Sequence, residues 1–357
     1  GLCAARWHSF SVQRPALMRS GSFAVLLAGL LAGPTASAAV ITIVNMDATG
    51  EGLNDPAPFT PIGGNTANTL GQARLNVLNE AARIWGQQIS SPMTIVVEAQ
   101  FDALTCSASS ATLGSAGPVT FFTGGTLPLQ NVLYPAALAD ALTGRNINNR
   151  NDISARFNSS VWGNSNCLNG RYFYLGFNHQ LTGHGDGRLY TDLLNVVLHE
   201  FGHGLGFVSI VDQDGSSLDT SGSRLSVYDQ YVYSESNASF WPQMSETARA
   251  ASAITSGQLV WNGSAINGQL SGLSSGLSAN SHLRLYAPTT WDDGSSVSHW
   301  DSAAFPNLLM EPFLTANPNG LTDLTGCALR DMGWPGTRCP DTTGANTPPA
   351  AMGQAVN

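Results

Sequence analysis

The twelve residues from Val196 to Phe207 read Val-Val-Leu-His-Glu-Phe-Gly-His-Gly-Leu-Gly-Phe, and they constrain this chain more than any other segment. His199 and His203 stand four apart, so on a helix both imidazoles share one face, a turn apart. Two imidazoles so placed can bind one Zn²⁺ at about 2.0–2.1 Å each. Glu200, next in sequence to the first His, falls beside such an ion rather than on it. There it can take a proton from a metal-activated water. Val197, Leu198 and Leu205 bury the rest of the helix, and Gly206 lets the chain turn sharply out of it. The helix is expected from Asp192 to about Gly204, with Thr191 or Asp192 as its N-cap.

A zinc ion that does chemistry needs three protein ligands and one open position. The His-Glu-x-x-His-x-x-Gly segment resembles the metzincin pattern, which implies a third His three residues after Gly206, where Ser209 stands. Serine is a poor zinc ligand, so the third ligand comes from elsewhere. Outside the N-terminal segment, the other His are His179, His184, His282 and His299. In a second class of zinc hydrolase, the gluzincins, a downstream Glu completes the set. Glu235 and Glu246 are the acids at a fitting distance.

Two further segments narrow the choice. His299 lies in Ser298-His299-Trp300-Asp301, and Met310 follows in Leu309-Met310-Glu311-Pro312. With the helix motif, and with Leu329-Arg330-Asp331-Met332-Gly333-Trp334 further on, this order resembles the leishmanolysin-type group of the metzincin zinc metallopeptidases. In that group an insertion separates the glycine turn from the third His. The resemblance spans roughly residues 190 to 335. It implies that His199, His203 and His299 ligate zinc, that Glu200 is the general base, and that Met310 forms a hydrophobic floor beneath the metal. Asp301 then stands where an acid can orient a ligand His or hold its loop. The implied fold is α+β: a mixed sheet with the active-site helix, a Met-turn and a C-terminal helix. The implied activity is endopeptidase cleavage of proteins or peptides. A catalytically silent adhesin that keeps the same shell is the non-enzymatic alternative, and an intact Glu200 argues against it.

The N-terminus reads as an export signal. Arg6, Arg14 and Arg19 precede the apolar run 23–31, and Thr35-Ala36-Ser37-Ala38 supplies small residues for cleavage near Ala38. The run is too short to span a bilayer, so no membrane span is expected after cleavage. Met18 stands where a start codon would, so residues 1–17 are compatible with an over-extended gene start. Removing residues 1–38 leaves Cys106, Cys167, Cys327 and Cys339, an even count that suits two disulfides in an exported protein. Three connectivities remain open. The short loop favours Cys327–Cys339, and with it Cys106–Cys167.

Composition excludes other classes. All 15 bases are Arg, against 24 acids, for a net charge of −9. The leader takes three of those Arg, which leaves 12 against 24 and a charge of −12. A nucleic-acid binder would show a basic face, and with no Lys a Schiff-base mechanism is excluded.

The peptidase domain is expected over 39–339. Strands are predicted at Val40–Met46, Met93–Phe101 and Arg171–Phe177, and helices at Leu70–Ile89 and Thr322–Met332. The Gly/Ser-rich stretch 212–296 shows no strong periodicity and reads as the insertion. Residues 340–357 read as a Thr/Pro/Ala-rich linker, whose Asn346-Thr347-Pro348-Pro349 resembles the lead-in to Ig-like or cadherin-like repeats. His184-Gly185-Asp186-Gly187 is similar to a structural metal loop and Asp212-Gln213-Asp214-Gly215, with Asp219, to a Ca²⁺ loop, but both read better as turns. His179 and His282 read as ordinary surface or core residues.

Overall fold

The computed structural model describes residues 38–220, 222–314 and 322–339. All but the last residue of the predicted leader, and the whole tail 340–357, lie outside these ranges. The chain is α+β. In order it forms β1 (Ile41–Asn45), α1 (Leu70–Gln88), β2 (Ile95–Asp102), β3 (Gly114–Pro118), β4 (Phe121–Phe122), β5 (Tyr134–Pro135), α2 (Ala136–Thr143), β6 (Ile153–Asn158), β7 (Tyr172–Tyr174) and β8 (Tyr190–Asp192). Then follow α3 (Leu193–Gly204), β9 (Val232–Ser234), β10 (Ser239–Phe240), α4 (Glu246–Ala253), β11 (Leu259–Trp261), α5 (Ser264–Asn267), β12 (Leu283–Arg284) and α6 (Asp323–Asp331).

The main sheet has the order β1-β2-β6-β3. β1, β2 and β6 run parallel, with Ile41 opposite Ile95 and Val97 opposite Ile153, while β3 returns antiparallel to β6. The alternation of β2 explains why the sheet has an inside. Ile95, Val97, Ala99 and Phe101 are buried, and the residues between them are half-exposed. Helix α1 starts at Thr69, whose side chain accepts from Gln72 N, and buries Ala73, Val77, Leu78, Ala81 and Trp85 at helical spacing. It packs on β1 and on α3, and α3 lies against β3 and β6. Two indoles pin α3 through their polar ends: Trp85 Nε1 donates to Leu198 O and Trp334 Nε1 to Leu205 O, both at 2.9 Å.

The predicted strand Arg171–Phe177 is cut to Tyr172–Tyr174 because the chain then leaves the ladder, with Phe177 N donating to Gly63 O. The stretch 212–296 carries more regular structure than its sequence suggested. A small antiparallel sheet, β10-β9-β11-β12, and the short helices α4 and α5 sit within it. Strands of two or three residues are too short to display a period. Asp331 at the end of α6 binds this unit to the rest, accepting from Ala265 N (2.7 Å) and Trp261 Nε1 (2.9 Å). Two disulfides, Cys106–Cys167 and Cys327–Cys339, close the fold in the favoured pairing. Two disulfides fit an extracellular protein. Among the described residues no helix is long and apolar enough to cross a membrane.

Asp140 on α2 and Asp152 before β6 are both buried and side by side. Asp140 accepts from Ile147 N and Asp152 from Val96 N, so the pair ties the loop between them to β2. Burial, and for Asp152 the neighbouring carboxyl, pushes them up to about 6 and about 7. Because both folded-state values lie above the unfolded one, the stability they confer is complete below about pH 4. It is lost as pH rises through about 6 to 7. Asp140→Asn, whose amide can donate to Asp152, is therefore expected to be more stable than wild type at pH 8 and level with it at pH 4. Urea denaturation at the two pH values checks this, and equal differences at both would refute it.

Candidate metal centre

Helix α3 is the platform of the site. Its N-cap is Asp192, whose side chain accepts from Asn195 N, and every residue of the helix is buried. One face presents His199 and His203. Gly206 then turns the chain at φ +116°, a conformation that only glycine adopts without strain. The turn carries the carbonyl of Phe207 back to His203 Nδ1, 2.7 Å away. His299 arrives from the far side of the insertion, on a segment bridged to the β12 region by Leu285 and Trp300.

The three imidazoles meet through their Nε2 atoms. The separations are 3.1 Å (His203–His199), 3.1 Å (His203–His299) and 3.2 Å (His299–His199). Each Nδ1 is bonded to a backbone carbonyl: His199 to Leu309 O at 2.7 Å, His203 to Phe207 O at 2.7 Å, His299 to Ser295 O at 2.8 Å. A carbonyl only accepts, so each Nδ1 carries the proton and donates it. Burial keeps all three rings neutral: His199 is lowered to about 4, His299 to about 3, and His203 falls well below its ordinary value. With each Nδ1 donating, three Nε2 lone pairs converge, an arrangement that could hold a metal ion. An ion at about 2.0–2.1 Å from each nitrogen would see N–metal–N angles of about 100°, close to tetrahedral. The cluster could therefore hold a metal, and among the described residues it is the one group of three or more His, Cys, Asp or Glu side chains able to.

The other residues read from the sequence fall around it. Glu200 is 1% exposed, and its side chain lies against β3 so closely that a Cβ on Gly114 would stand 2.8 Å from its Cγ. Met310 is fully buried beneath α3, and a Cβ on Gly202 would meet its sulfur at 2.7 Å. The Met310 turn is fastened from below. Asp323 accepts from Leu309 N, the residue whose carbonyl orients His199, and Glu311 accepts from Leu308 N at 2.7 Å. Burial raises Asp323 to about 6.

Of the two roles open to Asp301, orienting a ligand His and holding its loop, the second is met, since all three Nδ1 atoms bind carbonyls. Asp301 accepts from Ala303 N at 2.9 Å and faces Arg284, which makes it a loop anchor. Neither candidate Glu joins the cluster: Glu235 binds His282 (2.8 Å) and Ser278 (2.7 Å), and Glu246 is exposed at the start of α4. His179 is more than a core residue, for its Nδ1 bonds at 2.5 Å to Asp192, the N-cap of α3. Asp186 takes the Tyr190 hydroxyl and Asp219 pairs with Arg224. Sequence reasoning missed Ser295, Asp323 and Asp229. No motif marks them, because what matters is where their oxygens end up.

Gly206→Ala is expected to destabilise the protein by about 1–3 kcal/mol, since the new Cβ also meets Pro135 Cγ at 2.8 Å. Chemical denaturation measures this, and an unchanged midpoint would sink the strain argument. In comparisons with known protein families, characterised proteins and solved structures, nothing matches this chain.

Proposed function

We propose that this protein is an exported zinc-dependent endopeptidase of metzincin type, with His199, His203 and His299 as ligands. The observation that carries the reading is the convergence of three proton-free Nε2 atoms within 3.1–3.2 Å, with Glu200 one residue after the first of them on the same helix. An all-imidazole set suits zinc and leaves a fourth position open. Zinc held by these three His would supply a Lewis acid for the scissile carbonyl and the attacking water. Glu200 would take the proton of the attacking water and return it to the leaving amine. Its burial against Gly114 holds the carboxylate in one place, so little reorganisation is needed as charge develops.

The surroundings support a peptide as substrate. β3 ends the main sheet beside Glu200, and no strand among the described residues takes its outer edge. An extended peptide can add to such an edge through backbone hydrogen bonds, which leave side-chain identity free. Met310 gives the imidazoles a soft apolar support and takes no part in bond making. Two disulfides accord with export.

Cleavage of casein or gelatin by the chain starting at Ala39 is the direct test. Activity is expected to vanish with a chelator and to return with Zn²⁺. Glu200→Ala is expected to keep one zinc per chain while losing at least about 10²-fold in kcat. A Glu200→Ala protein as active as wild type would refute the mechanism. Full zinc content in His299→Ala would refute the ligand set.

A further inference from the structure

The residue three positions after Gly206 is Ser209, and the structure gives it a task. Its backbone N–H donates to Ser298 Oγ at 3.0 Å, one residue before His299. Its hydroxyl donates to Asp229 Oδ1 at 2.6 Å. Asp229 is fully buried, and its other oxygen accepts from Ser226 N (3.0 Å) and Ser226 Oγ (2.7 Å). The preceding residue, Tyr228, is also fully buried, and it donates its hydroxyl to Val297 O at 2.7 Å. Its ring packs edge-on to Phe207, whose carbonyl orients His203. One short turn within 212–296 thus grips both the exit of α3 and the loop 297–299.

We propose that Tyr228 and Asp229 are positioning residues that set the third imidazole against the other two: Tyr228 through Val297, and Asp229 through Ser209 and Ser298. The inference rests on the metallopeptidase reading and deepens it, for it gives the insertion a role at the metal. His299 is joined to α3 by no nearby covalent link, so its place depends on contacts across the insertion. A buried carboxylate with four hydroxyl and amide donors holds a fixed geometry, because each donor lost would leave a buried acceptor unmet. Ser209 accordingly fastens the segment that brings the third imidazole.

The test is the rate at which zinc is lost to a chelator, measured for wild type, Tyr228→Phe, Ser298→Ala and Ser298→Thr, with Ser217→Ala as control. Ser217 donates to Arg224 O in the same region, and its side chain bonds to none of Ser209, Asp229 or Ser298. Zinc release is expected to quicken on the order of 10–100-fold in Tyr228→Phe and Ser298→Ala. It should return towards wild type in Ser298→Thr, which keeps the hydroxyl, and stay unchanged in Ser217→Ala even where that variant melts earlier. The d–d absorption of the Co²⁺-loaded protein should shift in the two affected variants and not in the control. Release rates that follow melting temperature alone across all four variants would overturn the inference. Wild-type protein that takes up no zinc would instead overturn the metal reading itself, and this inference with it.

Discussion

Three hydrogen bonds from imidazole Nδ1 to backbone carbonyls decide what this protein can be. They commit each ring to one tautomer and aim the three remaining lone pairs at one point. The carbonyls come from three places: Leu309 in the Met310 turn, Phe207 just past α3, and Ser295 in the loop before His299. Each imidazole is therefore oriented by a segment other than the one that carries it or by a turn adjacent to it. Much of the remaining fold serves to bring those carbonyls into range. The sheet and α1 fix α3, the Gly206 turn returns Phe207, and Asp323 holds Leu309. Burial does the rest by keeping the imidazoles uncharged.

What was legible in the sequence follows a physical rule. Features that depend on neighbours a few residues apart were readable: the period of α1 and α3, a cap at Thr191 or Asp192, the glycine exit and the His199–His203 face. His299 was reachable only through resemblance, since nothing local distinguishes it from His282 or His179. The structure separates the three by partner: His282 meets Glu235, His179 meets Asp192, and His299 meets the other two imidazoles. Asp301 shows the limit of such reading: its sequence position allowed either orienting an imidazole or holding its loop, and because the backbone takes every Nδ1, it holds the loop.

The stretch 212–296 was the least legible, for a reason that bears on the site. Its strands and helices are too short for periodicity, and its order comes from a buried aromatic cluster. Tyr228, Trp261, Trp300 and Phe207 stack edge to face with centroids 4.7–5.9 Å apart. Phe207 and Trp300 belong to the segments that carry the metal-facing groups, while Tyr228 and Trp261 belong to the insertion. The cluster is one body shared between them, which is why no boundary showed in the composition.

That shared core also resolves the cost of placing the third imidazole so far along the chain. With 95 residues between His203 and His299, a flexible connection would cost about 2.5 kcal/mol more to close than one of five residues. It would also leave the ring to wander. Folding the connection around its own sheet removes the wandering, because the position of His299 is then set by packing rather than by chain statistics. The consequence is a coupling between metal and fold. A ligand set drawn from two covalently distant segments exists only in the native state, so a metal bound there stabilises that state and has no comparable site in the unfolded chain. If a metal is held there, loosening the insertion would weaken its binding, and removing it would loosen the insertion by the same free energy.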